Sequence, residues 1–316
     1  MNTSCLVFSS SGPITHSVKR LLFILLLMPL FAGVSLAQDA AVQTAEQNGK
    51  HMLWRISSDA GTEGYLVGSV HLMKPDAYPL SDVFDGAFAA SDLLVFEVDQ
   101  DSMAAQAQQL TMRLGLYPEG KTLQSELSAE TYAALEAITT EMGLPLAQMQ
   151  RLEPWMVALT IPVVQMQKAG YNPQSGIDAY FFQKAKEADK ERRAFETTEE
   201  QLSFFDSLPP EEQEAFLSHG LAEAGETVKM IDEMVRYWKA GDADALDRVL
   251  QGAMRKDFPA LYQTLLVERN QNWMPEITKL LDAESVPMIV VGAGHVVGEE
   301  GLKAMLEAQG HRVEQQ

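Results

Sequence analysis

The chain has 316 residues, 44 of them acidic against 24 basic, and a formal net charge of −20. An acidic surface of this kind makes nucleic acid and anionic lipid headgroups poor partners. The single cysteine, Cys5, has no second cysteine to pair with, so stability has to come from a hydrophobic core rather than from a disulfide.

The N-terminus reads as an export signal. Lys19 and Arg20 form a short positive region. Residues 21–34 are apolar except for Pro29 and Gly33, and Ser35-Leu36-Ala37 then places small residues at the −3 and −1 positions of a cleavage site. The run is near the lower length limit for a spanning helix, and Pro29 and Gly33 weaken its end, so cleavage near Ala37 is expected over retention as an anchor. Removal of residues 1–37 takes Lys19 and Arg20 from the 24 basic residues and no acid, which leaves 22 against 44 and a net charge of −22. No second apolar run of spanning length follows. The mature form is expected to be periplasmic or secreted, and not membrane-spanning.

Residues 38–50 are polar and aperiodic and read as a linker to a domain over 51–316. Residues 52–56 and 64–68 predict two strands around a turn at 59–61. Residues 81–90 have helical spacing, with Ser81 or Asp82 as a cap, and 93–98 predict a third strand. From about 101 to 285 the composition is rich in Ala, Glu, Gln and Met with a helical period. Helices are predicted at 128–142, 154–170, 176–188, 199–206, 210–219, 221–240, 242–251 and 257–281, with one possible strand at 192–196. Residues 287–292 predict a buried strand, 298–309 a helix closed by Gly310, and 311–313 a short last strand.

Strands at both ends and helices in the middle predict a mixed α/β (α+β) domain. Its central sheet is completed by N- and C-terminal parts, and its large, mostly helical insertion at about 101–285 is expected to cover one side of the site.

Two of the histidines share a setting. His71 closes Tyr65-Leu66-Val67-Gly68-Ser69-Val70-His71, and His295 closes Met288-Ile289-Val290-Val291-Gly292-Ala293-Gly294-His295. Each is an apolar strand followed by Gly-x-x-His. A buried strand fixes the backbone, glycine permits close approach, and the exit of the strand overhangs the crevice where α/β sheets bind ligands. Glu97, at the end of residues 93–98, and Glu196, at the end of 192–196, share that context. Imidazoles and carboxylates are ligands of divalent transition ions such as Zn, Mn or Co. Two histidines and one glutamate with an open position would activate water for hydrolysis. Taken singly, a strand-end histidine or a glutamate at a sheet edge is more often structural, and Glu196 could cap the helix that follows. His51, His219 and His311 have no such setting. The chain has no His-Glu-x-x-His, Gly-x-Ser-x-Gly or P-loop, and Gly292-Ala293-Gly294-His295-Val296-Val297-Gly298 misses the dinucleotide fingerprint by one residue.

At these residues the sequence resembles the TraB/GumN family, which is related to the TIKI metalloproteases. The resembling pieces include Leu53-Trp54-Arg55-Ile56, both Gly-x-x-His segments, Phe96-Glu97-Val98-Asp99, Gly176-Ile177-Asp178, Glu196-Thr197 with Glu200-Gln201, Gly241-Asp242, Glu268-Arg269-Asn270 with Trp273, and Gly298-Glu299-Glu300-Gly301-Leu302. The resemblance implies a sheet flanked by helices and a site built from both Gly-x-x-His motifs and a glutamate. In TIKI-like members such a site supports divalent-metal-dependent peptide cleavage. Carried onto this chain, it implies His71, Glu97 and His295 as metal ligands, with Glu196 as a further ligand or general base. Arg269 would hold a substrate carboxylate or an oxyanion, or else pair with Asp178 or Glu196. The alternative is a non-catalytic periplasmic protein that binds a peptide, metal or haem through the same histidines.

Export is tested by mass spectrometry of the protein from the exported fraction. Gln38, open or cyclised, is expected at the N-terminus; an intact N-terminus recovered from membranes would contradict cleavage.

Overall fold

Six strands form one sheet: β1 (Leu53–Ser57), β2 (Glu63–Ser69), β3 (Leu93–Val98), β4 (Glu191–Glu196), β5 (Pro287–Gly292) and β6 (Arg312–Gln315), in the spatial order β4-β3-β5-β2-β1-β6. The computed structural model describes residues 49–316 except 59, 60 and 62, so the expected export signal and most of the expected linker lie outside the described residues. Neighbours β4, β3, β5 and β2 pair in parallel, and β1 alone runs the other way, pairing antiparallel with both β2 and β6.

The pattern of each strand explains its place. Every residue of β3 and of β5 is buried, as expected for continuous apolar runs at the centre of a parallel sheet. Strand β4 carries Glu191, Arg192 and Arg193 and has no buried residue, which suits an edge. Four parallel strands put four carboxyl ends on one side of the sheet. Val98 of β3 pairs with Glu196 of β4, and Ser69 of β2 pairs with Gly292 of β5. The two Gly-x-x-His segments therefore leave neighbouring strands side by side.

Helix α1 (Asp82–Ala90) lies between β2 and β3. Between β3 and β4 come α2 (Gln100–Leu114), α3 (Leu123–Glu126), α4 (Ala129–Glu141), α5 (Leu146–Met149), α6 (Pro154–Lys168) and α7 (Ile177–Glu187). Between β4 and β5 come α8 (Thr198–Asp206), α9 (Pro210–Glu223), α10 (Thr227–Lys239), α11 (Ala243–Asp257), α12 (Pro259–Tyr262) and α13 (Glu268–Leu281). One π-helical turn, Gln263–Val267, joins α12 to α13. The short α14 (Ala293–Val296) and α15 (Leu302–Ala308) precede β6.

Several boundaries differ from the sequence reading. Strand β4 divides the helical stretch into two blocks and belongs to the sheet. The predicted break at Gly220 falls inside α9, and the chain turns instead at 224–226. Glycine inside a helix costs about 1 kcal/mol relative to alanine, which packing readily offsets. Likewise α11 continues through Gly252. The predicted helix from 298 begins only at Leu302, because Gly298 has a φ of 89° and turns the chain out of helical geometry.

The helical blocks share the core of the sheet. Leu135, Trp155, Phe216 and Leu246 belong to the same buried cluster as Leu94 and Val290. On one face of the sheet Phe96 of β3 meets Phe182 of α7, ring centroids 5.2 Å apart. Strand alternation turns Glu97 to the other face. There Phe195 of β4 stacks on Trp273 of α13 at 5.1 Å. The carboxyl edge thus lies between α7 and α13. Among the described residues, no helix is long and apolar enough to cross a membrane.

Candidate functional site

Glu97 stands at the centre of the edge. Its Oε1 accepts a hydrogen bond from the Gly292 backbone N at 2.6 Å, which ties β3 to the end of β5. Its Oε2 accepts from Arg269 Nη2 at 2.7 Å and from Gln201 Nε2 at 3.3 Å. A histidine lies on either side. His71 Nε2 is 3.9 Å from Glu97 Oε1, and His295 Nε2 is 3.9 Å from Glu97 Oε2.

Each imidazole is aimed by a partner on its other nitrogen. His71 Nδ1 lies 3.1 Å from Asp178 Oδ1, at the first turn of α7. Gly176 lets the two segments approach, since a Cβ there would collide with the His71 carbonyl. His295 Nδ1 lies 2.8 Å from Asn270 Oδ1. Asn270 Nδ2 donates to the carbonyls of His295 and Glu300 at 3.2 and 2.9 Å, which orients the amide with Oδ1 toward the ring. An amide oxygen can only accept, so this network assigns the proton to His295 Nδ1 and leaves Nε2 with its lone pair outward.

Arg269 takes that lone pair. It is 1% exposed, and its Nη1 lies 3.0 Å from His295 Nε2 and donates to Leu265 O at 3.1 Å, inside the π-helical turn. The same guanidinium grips Glu196, from Nε to Oε1 at 2.9 Å and from Nη2 to Oε2 at 2.8 Å. Trp273 Nε1 and Gln201 Nε2 donate to the remaining positions of Glu196, each at 2.9 Å.

The folded core of this arrangement matches a model of the TraB/PrgY/gumN family over residues 52–315. The chain belongs to that family. The relatives it matches include the uncharacterized protein YbaP of Shigella flexneri and of Escherichia coli (strain K12). Each is 25% identical over 265 residues, covering 83% of this chain and 96% of the relative. An uncharacterized protein of Treponema pallidum (strain Nichols) is 20% identical over 295 residues, covering 89% of this chain and 87% of its own length. No solved structure matches this chain.

In this TraB/PrgY/gumN chain the residues singled out by sequence, His71, Glu97, Glu196, Arg269 and His295, are brought to one place. Arg269 pairs with Glu196 and not with Asp178, which holds His71 instead. Sequence reading gave no role at the site to Gln201, Asn270, Trp273 or the Gly292 backbone. Among the described residues, no group of three or more His, Cys, Asp or Glu side chains is arranged to hold a metal as it stands. Arg269 bonds to two of the atoms that an ion between His295 and Glu97 would use. In chemistry the donors still fit. Both Nε2 atoms face one carboxylate, and each Nδ1 is held by an oxygen, as metal-binding histidines require. A Cβ at Gly292 would stand 3.1 Å from Glu97 Oε1, 3.3 Å from His71 Nε2 and 3.8 Å from His295 Cδ2, so the glycine leaves a cradle between the three. Two carboxylates, Glu97 and Glu196, share the Arg269 guanidinium, and a third, Asp178, pairs with His71.

The histidines titrate in opposite directions. Burial works against the charged form of His71, but Asp178 and Glu97 outweigh it and raise the pKa to about 9. Burial and the Arg269 charge lower that of His295 to about 3. Burial would raise the Glu97 carboxyl, but protonated His295, Arg269, His71 and the Gly292 N–H together lower it to about 2. Relative to an ordinary value of 6.5, His71 contributes stability that is full below pH 6.5 and lost as pH rises through about 9. For His295 the contribution is present above pH 6.5 and lost as pH falls toward about 3. Imidazole 15N NMR of the metal-free protein is expected to show His71 charged and His295 neutral at pH 7. A neutral His71 at that pH would contradict its pairing with Asp178.

Proposed function

We propose that this protein is a divalent-metal-dependent hydrolase, most specifically a peptidase, exported to the periplasm or secreted. In this reading His71, Glu97 and His295 hold the ion, which would be Zn, Mn or Co. The observation that carries it is the paired aiming of the two histidines. Each turns Nε2 toward Glu97 while an oxygen, from Asp178 or Asn270, holds Nδ1. A bound ion would supply Lewis-acid chemistry, polarising a carbonyl and lowering the pKa of water.

The residues of the chain do the rest. Asp178 and Asn270 set the directions of the imidazoles. Arg269 fixes Glu97 and Glu196 relative to each other and holds a positive charge beside the position where a hydrolytic transition state gathers negative charge. Trp273 covers the inner side, with its ring 4.4 Å from that of His295. The side chains of His71 and Asp178 are 13% and 15% exposed, against 4% for His295, so substrate would approach from the His71 side.

One observation favours a second reading, a non-catalytic binder of a peptide, metal or haem. Both oxygens of Glu196 are taken up by Arg269, Trp273 and Gln201, so this glutamate has no free lone pair directed at a water. A binder needs no general base, whereas a hydrolase does. Turnover separates the two. Cleavage of members of a peptide library is expected with the metal-loaded protein, with loss on chelation and recovery on reloading. His71→Ala and His295→Ala should each lower bound metal from one ion per chain to a trace while retaining the helical circular dichroism. Metal binding without any cleavage would favour the binder; full metal content in both variants would overturn the metal site.

A further inference from the structure

Arg269 sits on the atoms the proposed ion would need. Its Nη1 lies 3.0 Å from His295 Nε2, and its Nη2 donates to Glu97 Oε2 at 2.7 Å. A neutral imidazole nitrogen has one lone pair, so a guanidinium N–H and a metal cannot both take His295 Nε2. Glu97 faces no such exclusion, because a carboxylate offers about four acceptor positions.

The rest of the guanidinium is secured independently of His295. Nε and Nη2 form a fork on Glu196, at 2.9 and 2.8 Å. Trp273 and Gln201 hold Glu196 in place from two further directions. Nη1 also donates to Leu265 O at 3.1 Å, so it keeps a partner if His295 is withdrawn. The ring centroid of Trp273 lies 4.9 Å from the guanidinium carbon. Only one bond of the cluster has to break for His295 to become a ligand.

We infer that Arg269 is a built-in place-holder cation: it occupies His295 Nε2 in the metal-free protein and yields that atom, while remaining fixed on Glu196, when a transition ion binds. The inference rests on the metal-site reading above and adds a selectivity to it. An ion must bond to nitrogen strongly enough to replace a charge-assisted hydrogen bond. Ions that favour imidazole, such as Co and Zn, meet that condition, whereas Mg and Ca, which favour oxygen, do not. Before the ion arrives, the guanidinium keeps Glu97 and Glu196 from repelling each other in a buried site.

Arg269→Lys isolates this bond. Lysine keeps the positive charge between the two glutamates, but its single nitrogen cannot fork onto Glu196 and reach His295 together. The metal-stripped full chain and this variant are titrated with Co, followed by its visible absorption, and separately with Mg. The Co dissociation constant of Arg269→Lys is expected to fall about tenfold, the factor that ~1.4 kcal/mol carries, with Mg binding unchanged. A Co affinity that is equal or weaker overturns the place-holder. If His71→Ala still abolishes Co binding in that case, the metal site stands without it. If the wild-type chain binds no Co at all, both fall. Should Arg269→Lys not fold, 15N NMR of the wild-type chain decides: the contact between Arg269 Nη1 and His295 Nε2 is expected to vanish on adding Zn, and its persistence in the Zn-loaded protein overturns the inference.

Discussion

A single buried charge organises the carboxyl edge of the sheet. Arg269, from the first turn of α13, reaches Glu97 on β3, Glu196 on β4 and His295 after β5, and so joins three strand ends through one guanidinium. Removing one partner of a buried, hydrogen-bonded ion pair costs about 3–5 kcal/mol, because the remaining charge is left without compensation. Against a whole-domain stability of about 5–15 kcal/mol, that is a large share resting on one side chain. Fold and site therefore depend on the same interaction. The π-helical turn before α13 contributes to it, since Leu265 in that turn supplies a carbonyl to the guanidinium.

The sheet delivers the other components by topology. Parallel neighbours β2 and β5 release their Gly-x-x-His segments at the same edge, offset by one residue in register, with Gly68 opposite Val291 and Ser69 opposite Gly292. The glycines serve different contacts. A Cβ at Gly68 would lie 3.2 Å from Ala293 Cα, so its absence lets the turn after β5 pack against β2. At Gly292 the missing side chain leaves the space between Glu97 and the two imidazoles. The helical blocks then bring in the groups that the sheet cannot, with Asp178 on α7, Gln201 on α8, and Asn270 and Trp273 on α13.

Much of this was legible from the sequence because it is carried by local pattern. Continuous apolar runs ending in Gly-x-x-His mark buried parallel strands with a chemical group at the exit, and two such runs belong on one edge for topological reasons. Glu97 follows from the same logic, as the polar residue near the end of the third apolar run. The pairings across the site were not legible. Arg269 is 172 residues from Glu97 and 73 from Glu196, and spacing could not decide between Glu196 and Asp178 as its partner. Asp178 was available to either cation, and the close approach at Gly176 gives it to His71. The helix boundaries failed where glycine was read as a stop: Gly220 and Gly252 lie within helices whose packing outweighs the local cost.

The chain belongs to the TraB/PrgY/gumN family, and the proposed chemistry rests on the aimed histidines and the charge around them. Its central claim is that His71, Glu97 and His295 form one cation-binding centre with Arg269 beside it. An anomalous difference map from crystals of the protein loaded with Zn or Co tests this most directly. One peak is expected at about 2.0–2.3 Å from both imidazole Nε2 atoms and a Glu97 oxygen, with Arg269 released from His295 and still bonded to Glu196. A map with no peak at that position, while Arg269 stays bonded to His295, would contradict it.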